Sequence, residues 1–301
     1  MAVQSRLREN HSMSRTSFPE VMEKPVSWQM VAKAFTRPVL ARMAQSGSDD
    51  ALRRILSKAG FAENRFSLRD LMERSLYGLQ RHYRCEYVYK AAIVDRIIFG
   101  RHSPRTASLH VELPVGRSIV DIAVFNGTST AYEIKTELDS HRRLITQTAD
   151  YLKAFERVFL VTHPAMVDRY AELSDERVGI LALTPRGSLT EARPASIAPN
   201  RLDIHALLRL LRRQEYQDAL EARFGDQGVL SNGRQFRHFN QLWNALPIAE
   251  ARAITVAALR ARTTDPGTVS FISQLPASCR VLGYATPLSG IQRQRLLNML
   301  I

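Results

Sequence analysis

The stretch Asp121-Ile-Ala-Val-Phe-Asn-Gly-Thr-Ser-Thr-Ala-Tyr-Glu-Ile-Lys135 places three charged side chains inside two short apolar runs. The Asn126-Gly127 pair between the runs is typical of a hairpin turn, so the runs are predicted to be neighbouring antiparallel strands. Burying a carboxylate or an ammonium group is costly unless the charge is paired or binds a ligand. The stretch is therefore the candidate functional site, and it predicts a sheet at the centre of the fold.

Strand periodicity indicates which of these side chains can meet. Glu133 and Lys135 project from one face of their strand, because successive side chains alternate. Tyr132 and Ile134 project from the other face. Asp121 joins Glu133 if the two are direct partners across the hairpin, which requires a loop of three or five residues around the Asn-Gly turn. The sequence permits this convergence without forcing it.

The charged set suits hydrolysis of a phosphodiester. Mg²⁺ prefers oxygen ligands and is usually held by one or two carboxylates, waters and substrate phosphate. A lysine beside such an ion can orient or deprotonate a water, or offset charge that develops on the phosphate. The alternative interpretation is a surface hairpin with an incidental salt bridge, because Glu-x-Lys alone is a common tripeptide.

An α/β core is predicted around the hairpin, because the hydrophobic pattern changes between the helix period and strand-like runs. Pro114 and Gly116 separate the first two strands, and an Asp-Ser cap begins the second helix. The predicted elements are a helix at 80–99, strands at 108–113, 118–126 and 130–136, a helix at 139–156, and buried strands at 157–162 and 178–184.

Four further side chains are candidates for the site. Glu112 ends the first strand and could enlarge the acidic cluster, and Glu86 lies at the edge of the buried stripe of the first helix. Gln147 and Tyr151 are four residues apart, so they share one face of the helix that follows the charged strand. Taken singly, Glu86, Gln147 and Tyr151 each have an ordinary interpretation as helix surface.

The flanks of the core are predicted to be helical. Residues 1–26 are polar and Ser-rich and are expected to be disordered. Residues 27–79 form an N-terminal helical region, 186–200 a linker, and 201–301 a C-terminal helical region. The Arg-rich helix predicted within 202–224 could lie along phosphates or simply present a solvated basic face.

Composition describes an ordinary globular chain with an unusual charge. Hydrophobic residues make up 45% and charged residues 24% of the 301 residues, enough for a sizeable core. Lys and Arg outnumber Asp and Glu by 42 to 29, a net charge of +13. This charge favours a polyanionic partner, although a basic solubility surface would look the same.

Several classes of protein are disfavoured. Two cysteines without paired spacing argue against a disulfide framework or a structural zinc site and fit a cytoplasmic protein. His110-x-Glu112 lacks the Cys-x-x-Cys of a zinc deaminase, and no Gly-rich phosphate loop is present. The sequence has no apolar run of membrane-spanning length, and its polar N-terminus predicts no signal peptide.

The order helix, three strands, helix, strand resembles the PD-(D/E)XK nuclease superfamily, as does the set Asp121, Glu133-Ile-Lys135 and Gln147-Thr-Ala-Asp-Tyr151. The Gln-x-x-x-Tyr element is similar to one carried by its RecB-like exonuclease branch. The stretch from Tyr83 to Val161 also resembles a little-characterised bacterial and phage family with this core. The resemblance spans residues 80–185 and implies a restriction-endonuclease-like αβββαβ fold with a mixed sheet.

The resemblance also implies roles for single residues. Asp121 and Glu133 would be metal ligands for Mg²⁺ or Mn²⁺, with the Ile134 carbonyl as a further ligand and Lys135 as the catalytic lysine. Glu112 or Glu86 would be the accessory acid, and Gln147 and Tyr151 the supporting pair. Val120 stands where the motif's name has Pro, at a position that varies freely in this superfamily.

Three functions are therefore weighed. The first is a metal-dependent nuclease, most simply acting on DNA, with a role in phage or bacterial defence, repair or mobile-element biology implied by the resemblance alone. The second is a non-catalytic module that uses this fold to bind nucleic acid or a protein. The third is a structural or regulatory protein whose basic charge serves only solubility.

Overall fold

Six strands form one mixed sheet whose spatial order is the order along the chain. The computed structural model describes residues 25–61, 66–137, 139–197, 199–228 and 232–300. The strands are β1 (Ser108–Val115), β2 (Ser118–Phe125), β3 (Ser129–Lys135), β4 (Arg157–Thr162), β5 (Gly179–Leu183) and β6 (Leu189–Arg193). β1, β2 and β3 pair antiparallel, β3, β4 and β5 pair parallel, and β6 pairs antiparallel with β5.

Helices cover both faces of the sheet. In the described ranges they are α1 (Trp28–Ala32), α2 (Arg37–Ser46), α3 (Asp50–Lys58), α4 (Leu68–His82), α5 (Glu86–Ile93), α6 (Leu144–Ala154), α7 (Val167–Leu173), α8 (Ile204–Leu210), α9 (Arg213–Phe224), α10 (Asn232–Asn244), α11 (Ile248–Ala261), α12 (Pro266–Gln274), α13 (Ala277–Ala285) and α14 (Gly290–Met299). None of them is long and apolar enough to cross a membrane.

Two large apolar clusters hold these layers on the sheet. Helices α1 to α5 and α12 to α14 pack together on one face, which we call the α5 face. Helices α6, α7, α8 and α11 contribute to the cluster on the other face, the α6 face. The C-terminal helices thus cover both sides of the core, and the protein is a mixed α/β structure in which both flanks share the central packing.

A third cluster joins α8, α9, α10 and α11, with the fully buried Trp243 among its members. The Trp243 indole Nε1–H donates to the Ile204 carbonyl at 2.7 Å, which ties α10 to the start of α8. The helix predicted within 202–224 is in fact two helices that part at Leu211 and Arg212.

The predicted strands around the site are confirmed to within two residues. Partners in the β2–β3 ladder run from Ile122–Tyr132 to Phe125–Ser129, so the hairpin loop contains the three residues 126–128. This is one of the two odd loop lengths that bring Asp121 opposite Glu133. Tyr132 and Ile134 pack on the α5 face, which leaves Glu133 and Lys135 for the α6 face, as strand periodicity predicts.

The helix predicted at 80–99 is wrong at its start. Helix α4, capped by the Ser67 side chain, continues to His82, because its apolar stripe extends to the buried Leu79. The chain then extends at Tyr83, and α5 begins only at Glu86. A π-helical segment, Val94–Phe99, follows α5 directly. Glu86 therefore lies at a helix N-terminus, where a carboxylate is favoured.

The helix predicted at 139–156 also begins later than expected, at Leu144, after one 3₁₀ turn. Asp139, taken as part of the cap, instead closes the turn after β3. Its Oδ2 accepts bonds from the backbone N–H and the hydroxyl of Thr136 at 2.7 and 2.9 Å. Asp139 therefore closes the turn after the strand, whereas the Ser140 hydroxyl accepts a bond from the Arg142 N–H in the 3₁₀ turn that precedes α6.

The segment 186–200, predicted to be a linker, contains strand β6. Gly187, at φ +75°, forms the turn that returns the chain along β5. The Arg193 guanidinium fixes the new strand by donating to the carbonyls of Val178 and Ala171 at 2.8 and 2.9 Å. The polar sequence of β6 suits a solvent-facing edge strand, which is why its pattern resembles a loop.

The described residues of the remaining flanks are largely helical. Helices occupy the N-terminal region, and Pro38 stands in the first turn of α2, where proline is tolerated. The C-terminal region predicted to be helical contains α12 and α13, whose apolar positions follow no long helical repeat. Of residues 1–26, predicted to be disordered, 1–24 lie outside the described residues.

Candidate active site

The candidate site lies at a fork where β2 leaves β3. The β2–β3 ladder ends at the pair Ile122–Tyr132, one residue before Asp121 and Glu133 would pair. Asp121 bridges the opening with its side chain, because its Oδ2 accepts a bond from the Ile134 N–H at 2.7 Å. A carboxylate thus replaces a backbone carbonyl as the partner of β3 and stands beside Glu133.

The backbone of β1 is unusual at Glu112, beside the fork. Glu112 has φ +55°, a left-handed conformation that is uncommon for a residue with a side chain and is found often at functional sites. Leu109 of β1 packs on the α5 face, but Leu113, which alternation should place on that same face, packs on the α6 face. The strand therefore exchanges its two faces at Glu112.

β2 makes the same exchange at Asp121. Val120 packs on the α6 face and Ile122 on the α5 face, although both are even-numbered. The β1–β2 register continues on both sides, from Val111–Ile122 to Leu113–Val120, so Glu112 and Asp121 lie opposite each other. Glu112, Asp121 and Glu133 thus follow one another across three strands.

Helix α6 holds the charged groups of β3 in place. The Lys135 Nζ donates to Glu133 Oε1 at 2.6 Å and to Gln147 Oε1 at 3.0 Å. The Tyr151 hydroxyl lies 2.8 Å from Glu133 Oε2 and 2.7 Å from the Ile119 carbonyl oxygen. The predicted pair Gln147 and Tyr151 therefore contacts both charged residues of the strand.

Burial makes these contacts strong. Glu133 is 2% exposed and Lys135 8% exposed, so neither charge is well solvated. Burial, and then the neighbouring Glu133 carboxylate, raise the pKa of Tyr151 far above its ordinary value. Its hydroxyl therefore stays neutral and acts as a hydrogen-bond donor that fixes the Glu133 carboxylate.

Burial and neighbouring negative charge disfavour ionisation of both carboxylates. Burial, followed by the charges of Glu133 and Glu86, raises the pKa of Asp121 to about 8. Burial also raises the pKa of Glu133, although Lys135 opposes the shift. Like charges held close in a low-dielectric site disfavour full ionisation, and a cation between them would remove that cost.

A buried lysine that the sequence did not single out completes the cluster. The Lys90 Nζ, on α5, lies 2.5 Å from Glu86 Oε1 and 3.0 Å from Glu112 Oε1. The Arg37 guanidinium approaches Glu112 Oε2 at 2.5 Å. Both predicted accessory acids are thus held by Lys90, near Asp121 but paired with a lysine. The Glu86-x-x-x-Lys90 spacing was its only signal, and that spacing is common on helix surfaces.

The donors present suit a hard divalent cation. Among the described residues, no three Asp, Glu, His or Cys side chains are grouped closely enough to hold a metal ion. Mg²⁺ requires fewer, because one or two carboxylates with waters and substrate phosphate suffice. Asp121 and Glu133 supply two. Since the N–H and C=O of a strand residue point to the same neighbour, the Ile134 carbonyl also faces the fork.

Exposed basic side chains flank this site. Arg117 lies in the turn between β1 and β2, and Arg142 and Arg143 precede α6. Arg117 directly precedes β2, which carries Asp121, and the other two directly precede α6, which carries Gln147 and Tyr151, so these exposed arginines are candidate contacts for a polyanion.

We predict that the metal-free protein loses stability as the pH rises. The pKa of Asp121 is raised in the folded state, so the folded protein binds this proton more tightly than the unfolded chain does. The stability that the Asp121 proton contributes to the fold is fully present below the ordinary pKa of 3.8 and is lost as the pH rises to about 8. Thermal unfolding in EDTA across this range should show the decline, and it should be weaker in Asp121→Asn. An equal decline in stability in both proteins would show that the pH dependence does not come from Asp121.

The part of the chain that is similar to known proteins includes more than the strands of the sheet. A family model described as bacteriophage P4 protein cII matches residues 80–275, which include all six strands and helices α5 to α12. A solved structure of a protein of unknown function from Silicibacter pomeroyi is 17% identical, covers 47% of this chain and 94% of its own, and has a TM-score of 0.30. No curated protein matches the chain.

Proposed function

The chain belongs to the bacteriophage P4 protein cII family, and we propose that it is a metal-dependent nuclease that hydrolyses phosphodiester bonds in DNA. One observation carries the proposal. Asp121, Glu133 and Lys135 meet at the fork between β2 and β3, where Gln147 and Tyr151 hold the lysine and the glutamate. The order of α5 to β4 supports a restriction-endonuclease-like αβββαβ core as the finer description of the fold.

Each side chain has a role in this chemistry. Bound Mg²⁺ or Mn²⁺ would supply a Lewis acid that polarises the phosphate and lowers the pKa of an attacking water. Asp121 and Glu133 provide the negative charge that holds such an ion, with the Ile134 carbonyl beside them. The Lys135 ammonium orients the water or offsets charge on the phosphate.

The supporting pair restricts these groups to one geometry. Gln147 accepts a bond from the Lys135 Nζ, so the ammonium stays beside the carboxylates instead of extending into solvent. The Tyr151 hydroxyl holds Glu133 Oε2 and directs Oε1 toward the lysine. Positioning of this kind lowers the reorganisation that the reaction needs.

The net charge of +13 supports a nucleic-acid substrate. We assign Arg117, Arg142 and Arg143 to the phosphates next to the scissile one. We also propose a cytoplasmic location. If the charge served only solubility, DNA association would be insensitive to salt, whereas phosphate contacts make the affinity fall with added salt.

The Lys135–Glu133 ion pair also suits a second candidate, a module that binds nucleic acid or protein without cleavage. At 2.6 Å and nearly buried, the pair satisfies both charges without any metal ion. A binding module has no need of a cation at the fork, so metal affinity separates the two candidates.

We expect the protein to bind Mn²⁺ in the absence of DNA, with affinity reduced at least about 10-fold in Asp121→Ala, because losing a ligand should cost no less than the roughly 10–100-fold lost with a ligand's supporting partner. Calorimetric titration or the electron paramagnetic resonance signal of free Mn²⁺ measures this. Asp175→Asn is the matched control, because Asp175 forms a surface ion pair with Arg177. Absence of Mn²⁺ binding by the wild-type protein would favour the non-catalytic module.

A further inference from the structure

Lys90 is the most deeply buried cation of the cluster beside the site. Its side chain is 6% exposed, whereas those of Glu86 and Glu112 are 53% and 46% exposed. Lysine is almost never this buried unless it is paired, and here its ammonium bridges two acids from different elements. Glu86 lies at the start of α5 and Glu112 in the middle of β1.

The two acids do not need a buried lysine for their own solvation. Each is about half exposed, and the Arg37 guanidinium already pairs with Glu112 from the solvent side at 2.5 Å. Glu112 carries the left-handed backbone at the point where β1 exchanges its faces, directly across from Asp121. The Lys90 ammonium therefore adds a fixed positive charge at the edge of the site, where three carboxylates approach one another.

A second metal ion would need the carboxylate oxygens that Lys90 contacts. Two-metal phosphodiester sites hold their ions about 3.5–4 Å apart, with carboxylates shared between them. Among the described acids, Glu112 lies across from Asp121 in the β1–β2 register, and Glu86 shares the Lys90 ammonium with it. A second cation held by these two acids would therefore have to replace the ammonium group.

We propose that Lys90 takes the place of a second divalent cation, so that the site accepts one metal ion. The inference rests on the proposed nuclease function, since it concerns the number of ions at that centre. Lys90 contributes a permanent charge that neutralises Glu86 and Glu112, and these acids are then not direct metal ligands in the wild-type protein.

The test counts bound Mn²⁺ per protein in the full-length chain. We expect one ion in the wild-type protein and one in Lys90→Arg, which keeps the cation. Lys90→Met, which keeps an unbranched side chain without charge, should bind two. Arg37→Met is the matched control. It removes the other cation on Glu112 from the solvent side, so it should still bind one ion.

The outcomes separate this inference from the function on which it rests. Two ions in the wild-type protein, or one in folded Lys90→Met, would overturn the role of Lys90 and leave a metal-dependent nuclease intact. No ion in the wild-type protein would overturn the proposed function itself. Lys90→Ala, which leaves both acids without this partner, replaces Lys90→Met if thermal unfolding shows that the latter does not fold, and it too should bind two ions.

Discussion

Lys135→Ala is expected to lower the rate of DNA cleavage by about 10³-fold, the scale at which a positioned acid, base or charge contributes to catalysis. The substitution removes the ammonium that lies 2.6 Å from Glu133 and 3.0 Å from Gln147, next to the place where the scissile phosphate would sit. Asp121 and the Ile134 carbonyl are untouched, so Mn²⁺ binding should persist. DNA binding should persist as well, because the flanking arginines remain.

Cleavage under single-turnover conditions, together with DNA affinity and bound Mn²⁺, checks this expectation. Lys58→Ala is the control, since Lys58 is an exposed lysine in the last turn of α3. If Lys135 served only as a salt-bridge partner of Glu133, the variant would lose stability, and its activity would fall only with the folded fraction. Equal cleavage by folded Lys135→Ala and wild type would exclude a catalytic role for this lysine.

Asp121→Asn is expected to abolish cleavage and yet stabilise the metal-free protein near pH 8. Burial and the charges of Glu133 and Glu86 raise the pKa of Asp121 to about 8, so the ionised carboxylate destabilises the folded protein at this pH. Each unit of such a shift corresponds to about 1.4 kcal/mol, so the gain should reach a few kcal/mol and several degrees in melting temperature. The asparagine carbonyl can still accept the bond from the Ile134 N–H.

The measurement is thermal unfolding of both proteins with EDTA and with Mn²⁺. In EDTA near pH 8 the variant should melt at the higher temperature, and the difference should shrink toward pH 4, where the wild-type carboxylate is protonated. Mn²⁺ should stabilise the wild-type protein and leave the variant unchanged. An ordinary salt-bridged hairpin predicts the opposite sign in EDTA, because loss of the carboxylate would then destabilise the fold.

Much of the site follows from the sequence because two simple periods govern it. Strand alternation puts Glu133 and Lys135 on one face, and the odd hairpin loop puts Asp121 opposite Glu133. Helical spacing then puts Gln147 and Tyr151 side by side. These rules depend only on local geometry, so the structure brings these residues together as predicted.

The fork itself could not be predicted. β1 and β2 exchange their faces at Glu112 and Asp121, which simple strand alternation does not predict. Glu112 adopts φ +55° there, although neither its identity nor its neighbours are typical of that conformation. The role of Lys90 is not predictable from the sequence either, because it depends on a contact with Glu112 on another element. The sequence does not predict strand β6, because an exposed edge strand has the composition of a loop.

The most direct test is digestion of linear, circular and single-stranded DNA with Mn²⁺, comparing wild type and Lys135→Ala. A metal-dependent nuclease predicts cleavage of at least one substrate by the wild-type protein, none when EDTA is present, and a loss of about 10³-fold in the variant. Cleavage that persists in EDTA or in folded Lys135→Ala, or no cleavage of any substrate by Mn²⁺-loaded wild type, would contradict the account.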